Sequence, residues 1–287
     1  MNDRQSSTPV PTPTGRWWSA PALAIALPAL ALYAAVLGWL WFAQESLLFF
    51  PTPLPAGQRL ALEPDVHELS IEVPGAQLSA LQLRLPKPKG VVFFLHGNAG
   101  NLASWFVNAA LYRRANFDLV MLDYRGYGKS TGRIENEAQL RADVRAAWAQ
   151  VAPYYAGKRV VIYGRSLGTA LAAGLAAELG QGGQPPDLTV LVSSYSSMAA
   201  LAAEHYPWVP QALLRYPLRT DEAVARIRSP LLLIHGERDT LIAPRHSEAL
   251  RAVAPHARLL RIAGAGHDDV HQFGSYREGF GAALAGL

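Results

Sequence analysis

Nine consecutive positions constrain this chain more than any others. Val160-Val161-Ile162-Tyr163 runs straight into Gly164-Arg165-Ser166-Leu167-Gly168, and an Ala-rich stretch continues to Leu179. Four apolar residues without alternation suit a strand buried on both faces, and such strands belong to parallel sheets covered by helices. The G-x-S-x-G pentapeptide between a strand and a helix is a sharp turn. The glycines Gly164 and Gly168 remove side chains that would collide, and Ser166 Oγ is presented above the sheet edge. A serine in an ordinary tight turn is the plainer alternative. The strand before it and the helix after it favour the first reading.

The remainder of the chain repeats this alternation. Val66–Val73 and Gln77–Leu85 alternate apolar and polar residues around Pro74-Gly75, which predicts an antiparallel pair. Continuous apolar runs at Val91–Leu95, Asp118–Asp123, Leu188–Val192, Pro230–Ile234 and Ala257–Ile262 predict further strands. Helical stretches fall at Asn101–Arg114, Glu135–Val151, Leu167–Leu179, His246–Val253 and Ser275–Leu284. The expected class is α/β, with a mostly parallel central sheet and helices on both faces, over residues 66–287. Ser193–Ser229 is longer than an ordinary crossover and rich in aromatic residues. It reads as a small cap over the strand ends, and Tyr195, Tyr206 and Trp208, with Tyr216, are its candidate substrate-binding residues.

A serine hydroxyl needs a base, and the base needs an orienting acid. Downstream of Ser166, Asp239 follows the strand ending at Ile234, and His267 follows the last strand in Gly264-Ala265-Gly266-His267. Both therefore fall on the sheet edge that carries Ser166, in the order serine, acid, histidine. His271 is the rival base. Asp268 and Asp269 adjoin the histidine too closely to orient it and read as loop acids. His96-Gly97-Asn98-Ala99-Gly100-Asn101 follows the first buried strand, so the backbone amides of Asn98 and Leu167 are candidate oxyanion donors. His96 reads as structural. Gly126–Ser130 ends like a phosphate-binding loop, but position 123 is Asp where that loop requires glycine. His267 and His271 are spaced like a zinc pair, but the Glu of that motif and a third ligand are missing from the sequence pattern, so no metal is expected.

Between Arg16 and Glu45 lie 28 residues without a charge. As a helix they would be about 42 Å long against a hydrocarbon core of about 30 Å. Trp17 and Trp18 at one end and Trp39 and Trp41 at the other match interfacial belts. The segment is about twice as long as the apolar stretch of a cleaved signal peptide, the main alternative. The expected division is a disordered tail over 1–16, a single transmembrane helix over 17–44, a stiff Pro-rich juxtamembrane linker over 45–65, and the α/β domain. Arg4 and Arg16 before the span put the N-terminus in the cytoplasm and the body on the periplasmic or extracytoplasmic side. The net charge of +4 comes without a long basic run, which argues against nucleic acid as a partner. The chain has no cysteine, which removes thiolate chemistry, iron–sulfur clusters and disulfides from consideration.

From Gln44 onward the chain resembles the α/β-hydrolase superfamily, in particular its membrane-anchored, abhydrolase-domain-containing serine hydrolases. The resemblance rests on Gln44–Pro51, His96–Asn101, Asp123–Ser130, Gly164–Gly168, Ser194–Met198, Tyr216-Pro217, Ile234–Asp239 and Gly264–His267. It implies the α/β-hydrolase fold, the triad Ser166, Asp239 and His267, an N-terminal anchor and no cofactor. Ser193-Ser194-Tyr195 departs from the more apolar segment of relatives. The expected activity is cleavage of acyl esters or thioesters, lipids among them. A serine peptidase or amidase on the same fold, or a non-catalytic membrane-tethered module, are the alternatives. The oligomeric state is not legible.

Overall fold

The computed structural model describes residues 20–287. The expected tail and the pair Trp17 and Trp18 lie outside them. In chain order the elements are α1 (Ala20–Leu48), β1 (Phe50–Pro51), β2 (Val66–Val73), β3 (Ala76–Leu83), β4 (Gly90–Leu95), β5 (Ala99–Gly100), α2 (Leu102–Trp105), α3 (Ala109–Ala115) and β6 (Phe117–Leu122). They continue with α4 (Glu137–Val151), β7 (Arg159–Arg165), α5 (Gly168–Gln181), β8 (Leu188–Val192), α6 (Met198–His205), α7 (Thr220–Val224), β9 (Leu231–Gly236), α8 (Arg245–Val253), β10 (Arg258–Ile262) and α9 (Gly274–Ala285).

Eight strands form one sheet in the order β10-β9-β8-β7-β4-β6-β3-β2. Every pair from β10 to β6 is parallel, while β3 runs antiparallel to both β6 and β2. Alternate residues of each buried strand feed opposite cores. Val91, Phe93 and Leu95 of β4 pack with Leu140 and Val144 of α4 and Leu171 of α5. Val92 and Phe94 pack with Tyr112 of α3 and Phe280 of α9. This two-sided burial is why the strands read as continuous apolar runs. The chain leaves β4 toward β6 on one side and returns to β7 on the other. The order therefore reverses between β4 and β7, and in open α/β sheets the carboxyl ends of the strands at such a reversal are where ligands bind.

Three boundaries differ from expectation. The helix expected over Asn101–Arg114 is two short helices, interrupted where Asn108 takes φ 61°. The expected linker over 45–65 is largely built into the body. Phe49 is buried, β1 pairs with β5, and the Leu54 N–H donates to the Gly128 oxygen at 2.7 Å. The Pro-rich composition that reads as a stiff spacer is also compatible with a short edge strand. Finally, the end of the expected cap is α7, whose Ala223 and Val224 belong to the main core, so the separate insertion is shorter than Ser193–Ser229.

Helix α1 is continuous through Pro28 and extends to Leu48. Its length and apolar composition suffice to cross a membrane, a property that signal sequences share. Among the described residues, those from Ala20 to Phe42 form one unit, and those from Ala43 onward form the other.

Candidate active site

Strand β7 ends at Arg165 and delivers Ser166 to the carboxyl edge of the sheet. Ser166 sits at φ 51°, a left-handed conformation that costs a non-glycine residue about 1–3 kcal/mol. Its amide donates to the Val192 oxygen on β8 at 2.9 Å, and its own oxygen accepts from the Thr169 amide at 2.9 Å and hydroxyl at 2.6 Å. The flanking glycines are a matter of space. A Cβ on Gly164 would lie 2.4 Å from the Gly168 oxygen, and one on Gly168 would lie 2.1 Å from the Leu95 oxygen.

Asp239 and His267 come from loops at the same edge, after β9 and β10. His267 Nε2 is 3.0 Å from Ser166 Oγ, and His267 Nδ1 is 2.8 Å from Asp239 Oδ2. The other carboxylate oxygen of Asp239 accepts from the amides of Leu241 at 3.1 Å and Ile242 at 2.8 Å. Burial pushes the Asp239 carboxyl up, but hydrogen bonds from His235, His267 and the Ile242 amide outweigh it and hold the group well below the usual carboxylate range. An ionised Asp239 selects the His267 tautomer with the proton on Nδ1, leaving Nε2 free to accept from Ser166.

The loop after β4 lies against the serine. A Cβ on Gly97 would sit 3.5 Å from Ser166 Cβ. Among the hydrogen bonds of the described residues, the Asn98 and Leu167 amides have no acceptor. His96 is fully buried. Its Nδ1 is 2.7 Å from the Gly97 oxygen and its Nε2 is 3.4 Å from Asp123.

His271, the rival in the sequence, pairs with Arg165. His271 Nδ1 lies 3.1 Å from an Arg165 nitrogen, and burial, followed by the Arg165 charge, lowers its pKa. The cap aromatics divide into two kinds. Tyr206 and Trp208 are 58% and 50% exposed. Tyr195 and Tyr216 are packed into the core, with the Tyr195 hydroxyl donating to the Leu167 oxygen at 3.2 Å. Tyr195 thus packs against the residue that follows Ser166. Among the described residues no group of His, Cys, Asp or Glu is arranged to hold a metal ion.

Two contributors were not singled out from sequence. Arg165, the variable residue of the pentapeptide, is buried and donates to the His267 oxygen at 3.0 Å and the Asp268 oxygen at 2.8 Å. Its guanidinium carbon lies 5.2 Å from the Trp105 ring centre. His235 is buried with Nε2 3.4 Å from Asp239 and 2.8 Å from the Ile242 oxygen, bracing the acid's turn. A charged residue at the variable position and a histidine ending a strand are signals that a sequence reader could weigh.

Comparison with known proteins agrees with this architecture. The family model described as "Serine aminopeptidase, S33" matches residues 86–219. An uncharacterized protein of Mycobacterium tuberculosis is 32% identical over 259 residues, 85% of this chain and 89% of the relative. This chain belongs to the α/β-hydrolase superfamily. The human α/β hydrolase domain-containing protein 17B is 33% identical over 203 residues, 67% of this chain and 65% of that protein. An esterase of Pyrococcus furiosus superposes with a TM-score of 0.63 at 18% identity, covering 83% of this chain and 96% of the esterase. That likeness is one of fold. The superfamily is one of hydrolases, and the strand order, the serine turn and the two downstream loops described above are how this member builds it.

Proposed function

We propose that this protein is a membrane-anchored serine hydrolase that cleaves acyl esters or thioesters through an acyl-enzyme. The observation that carries the proposal is the unbroken line from Asp239 through His267 to Ser166, with contacts of 2.8 and 3.0 Å. Ser166 Oγ attacks the acyl carbonyl carbon as its proton passes to His267 Nε2. The carbonyl oxygen becomes an oxyanion, held by the Asn98 and Leu167 amides. When the tetrahedral species collapses, the alcohol or thiol leaves with the proton from His267, and Ser166 keeps the acyl group. A water then gives its proton to His267 and attacks the ester, and the carboxylic acid departs as Ser166 regains its proton.

The anchor is α1, with the N-terminus cytoplasmic and the body on the periplasmic or extracytoplasmic side, as the flanking arginines favour. Tyr206 and Trp208 offer exposed apolar surface on the cap, and each buried methylene of an acyl chain is worth about 0.8 kcal/mol. The substrate class is therefore medium or longer acyl chains. The test is kcat/KM and burst kinetics on p-nitrophenyl esters from acetate to palmitate. A burst equal to the enzyme concentration and a rise with chain length are expected. A steady fall from acetate onward would overturn the lipid-like substrate.

A peptidase is the second reading, because the matched family model carries an aminopeptidase description. That match ends at residue 219, before Asp239 and His267, so it bears on the nucleophile half of the site alone. Release of p-nitroaniline from aminoacyl anilides faster than of p-nitrophenol from matched esters would favour it.

A further inference from the structure

The loop that carries Asn98 is short of internal support. Gly97 and Gly100 flank it, and Gly100 takes φ 82°, so its peptide planes have a freedom that other residues lack. Yet an oxyanion donor works by being fixed in advance at the place where charge develops. Beside the Trp105 ring nitrogen, which donates to the Ala99 oxygen at 2.6 Å, the fixing comes from the last residue of α1 and the segment that follows it. The Phe50 amide donates to the Asn98 oxygen at 2.8 Å, beside the Tyr127 hydroxyl at 2.7 Å. The Asn98 side-chain amide donates to the Leu48 oxygen at 3.3 Å. Phe50 and Pro51 then pair in parallel with Ala99 and Gly100, and the Thr52 amide donates to the Gly100 oxygen at 3.0 Å. Asn101 Nδ2 and the Gly128 amide both donate to the Thr52 oxygen, at 2.8 and 3.2 Å.

The segment is itself held. Phe49 is buried, with its ring 5.2 Å from that of Tyr216. Just before it, Glu45 accepts from the Tyr216 hydroxyl at 2.7 Å and from Arg215 at 3.0 Å, and Gln44 Nε2 donates to the Leu213 oxygen at 2.8 Å. The strap therefore has one edge on the cap segment and the other on the loop beside Ser166.

We propose that Leu48–Thr52 is a positioning strap: its main chain holds the Asn98 amide where the oxyanion forms, so turnover depends on a segment that never meets the substrate. This rests on the reading of Asn98 as an oxyanion donor. The strap acts on the transition state, so its loss lowers kcat and leaves KM, because the ground-state carbonyl makes little use of the donor.

The experiment uses the full-length protein in detergent micelles. Phe50→Pro deletes the amide that binds the Asn98 oxygen, and Phe50→Leu keeps it. Asn98→Ala deletes the side-chain bond to Leu48 while keeping the backbone amide, and it decides the matter if Phe50→Pro does not fold. Each variant is titrated by its p-nitrophenol burst, so that kcat is expressed per reactive Ser166. Its affinity for an alkyl trifluoromethyl ketone, which forms a tetrahedral adduct, is compared with that for the carboxylic acid product. The expected result is a kcat lower by about tenfold or more in Phe50→Pro and Asn98→Ala, an equal loss of ketone affinity, and KM and product affinity within about twofold of the parent. Phe50→Leu restores kcat. The proposal is overturned if the folded variants keep kcat and ketone affinity, or if kcat and product affinity fall together. Absence of any ester turnover by the parent protein would instead remove the hydrolase reading, and the strap's role with it.

Discussion

Arg165 donates a hydrogen bond of 3.0 Å to the main-chain oxygen of His267. The residue immediately before Ser166 thus holds the loop that carries His267. The same nitrogen donates a second bond, 2.8 Å, to the Asp268 oxygen, and the Trp105 ring lies 5.2 Å from the guanidinium carbon. Arg165→Ala should release the His267 loop and lower kcat by about 10- to 100-fold, since a displacement near 1 Å at a reacting group can cost that much. Arg165→Lys should recover little of it, because a compact ammonium cannot reach the two carbonyls and His271 Nδ1 together, nor lie as a plane against Trp105. Steady-state kinetics on one ester, with thermal unfolding as a check of the fold, would measure both.

Asp239 makes a prediction about pH. Its carboxyl is held well below the usual carboxylate range in the folded protein. In the unfolded chain it returns to about 3.9, so between the two values the unfolded state binds the extra proton. The stability that Asp239 contributes is therefore complete above about pH 5 and is lost as pH falls through and below the unfolded value. Thermal unfolding across this range should show a shallower acid decline in Asp239→Asn than in the parent. The same variant should lose about 10⁴-fold in kcat at neutral pH, because the imidazole takes the wrong tautomer.

Removal of the apolar helix should depend sharply on where the cut falls. A chain beginning at Ala43 keeps Gln44, Glu45, Phe49 and the β1–β5 pair. It should be soluble and should retain activity. A chain beginning at Pro55 loses the buried Phe49 and the strap on the Asn98 loop. It should unfold at a lower temperature and retain about a tenth of the activity or less. Circular dichroism melts and ester turnover of the two truncations, side by side, would decide this.

The sheet and the site's three principal residues were legible because each sits where an apolar run stops. Ser166 follows Val160–Tyr163, Asp239 follows Leu231–Ile234, and His267 follows the last strand, so a periodicity reading locates them on one edge. The strap was not legible. Its partners, Asn98 to Asn101, lie about fifty residues away, and Pro-Thr-Pro-Leu-Pro has the composition of a spacer whether or not it pairs. The break between α2 and α3 was hidden for another reason: Val107 and Asn108 fit the helical pattern, and a left-handed Asn is a local choice that composition does not reveal. Tyr195 and Tyr206 look alike in sequence, yet one is buried under Leu167 and the other faces outward. Burial of an aromatic residue is decided by what packs on it, and that is a tertiary fact.

Ser166 is proposed to be a nucleophile activated by His267. A fluorophosphonate probe tests it most directly, because it phosphonylates a serine oxygen that has been activated by a base. The full-length protein is incubated with the probe, digested, and the modified peptide is located by mass spectrometry. The label should lie on Ser166. It should be absent in Ser166→Ala, strongly slowed in His267→Ala, and undiminished in His271→Ala. A label on another residue, or labelling of His267→Ala at the parent rate, would contradict the account.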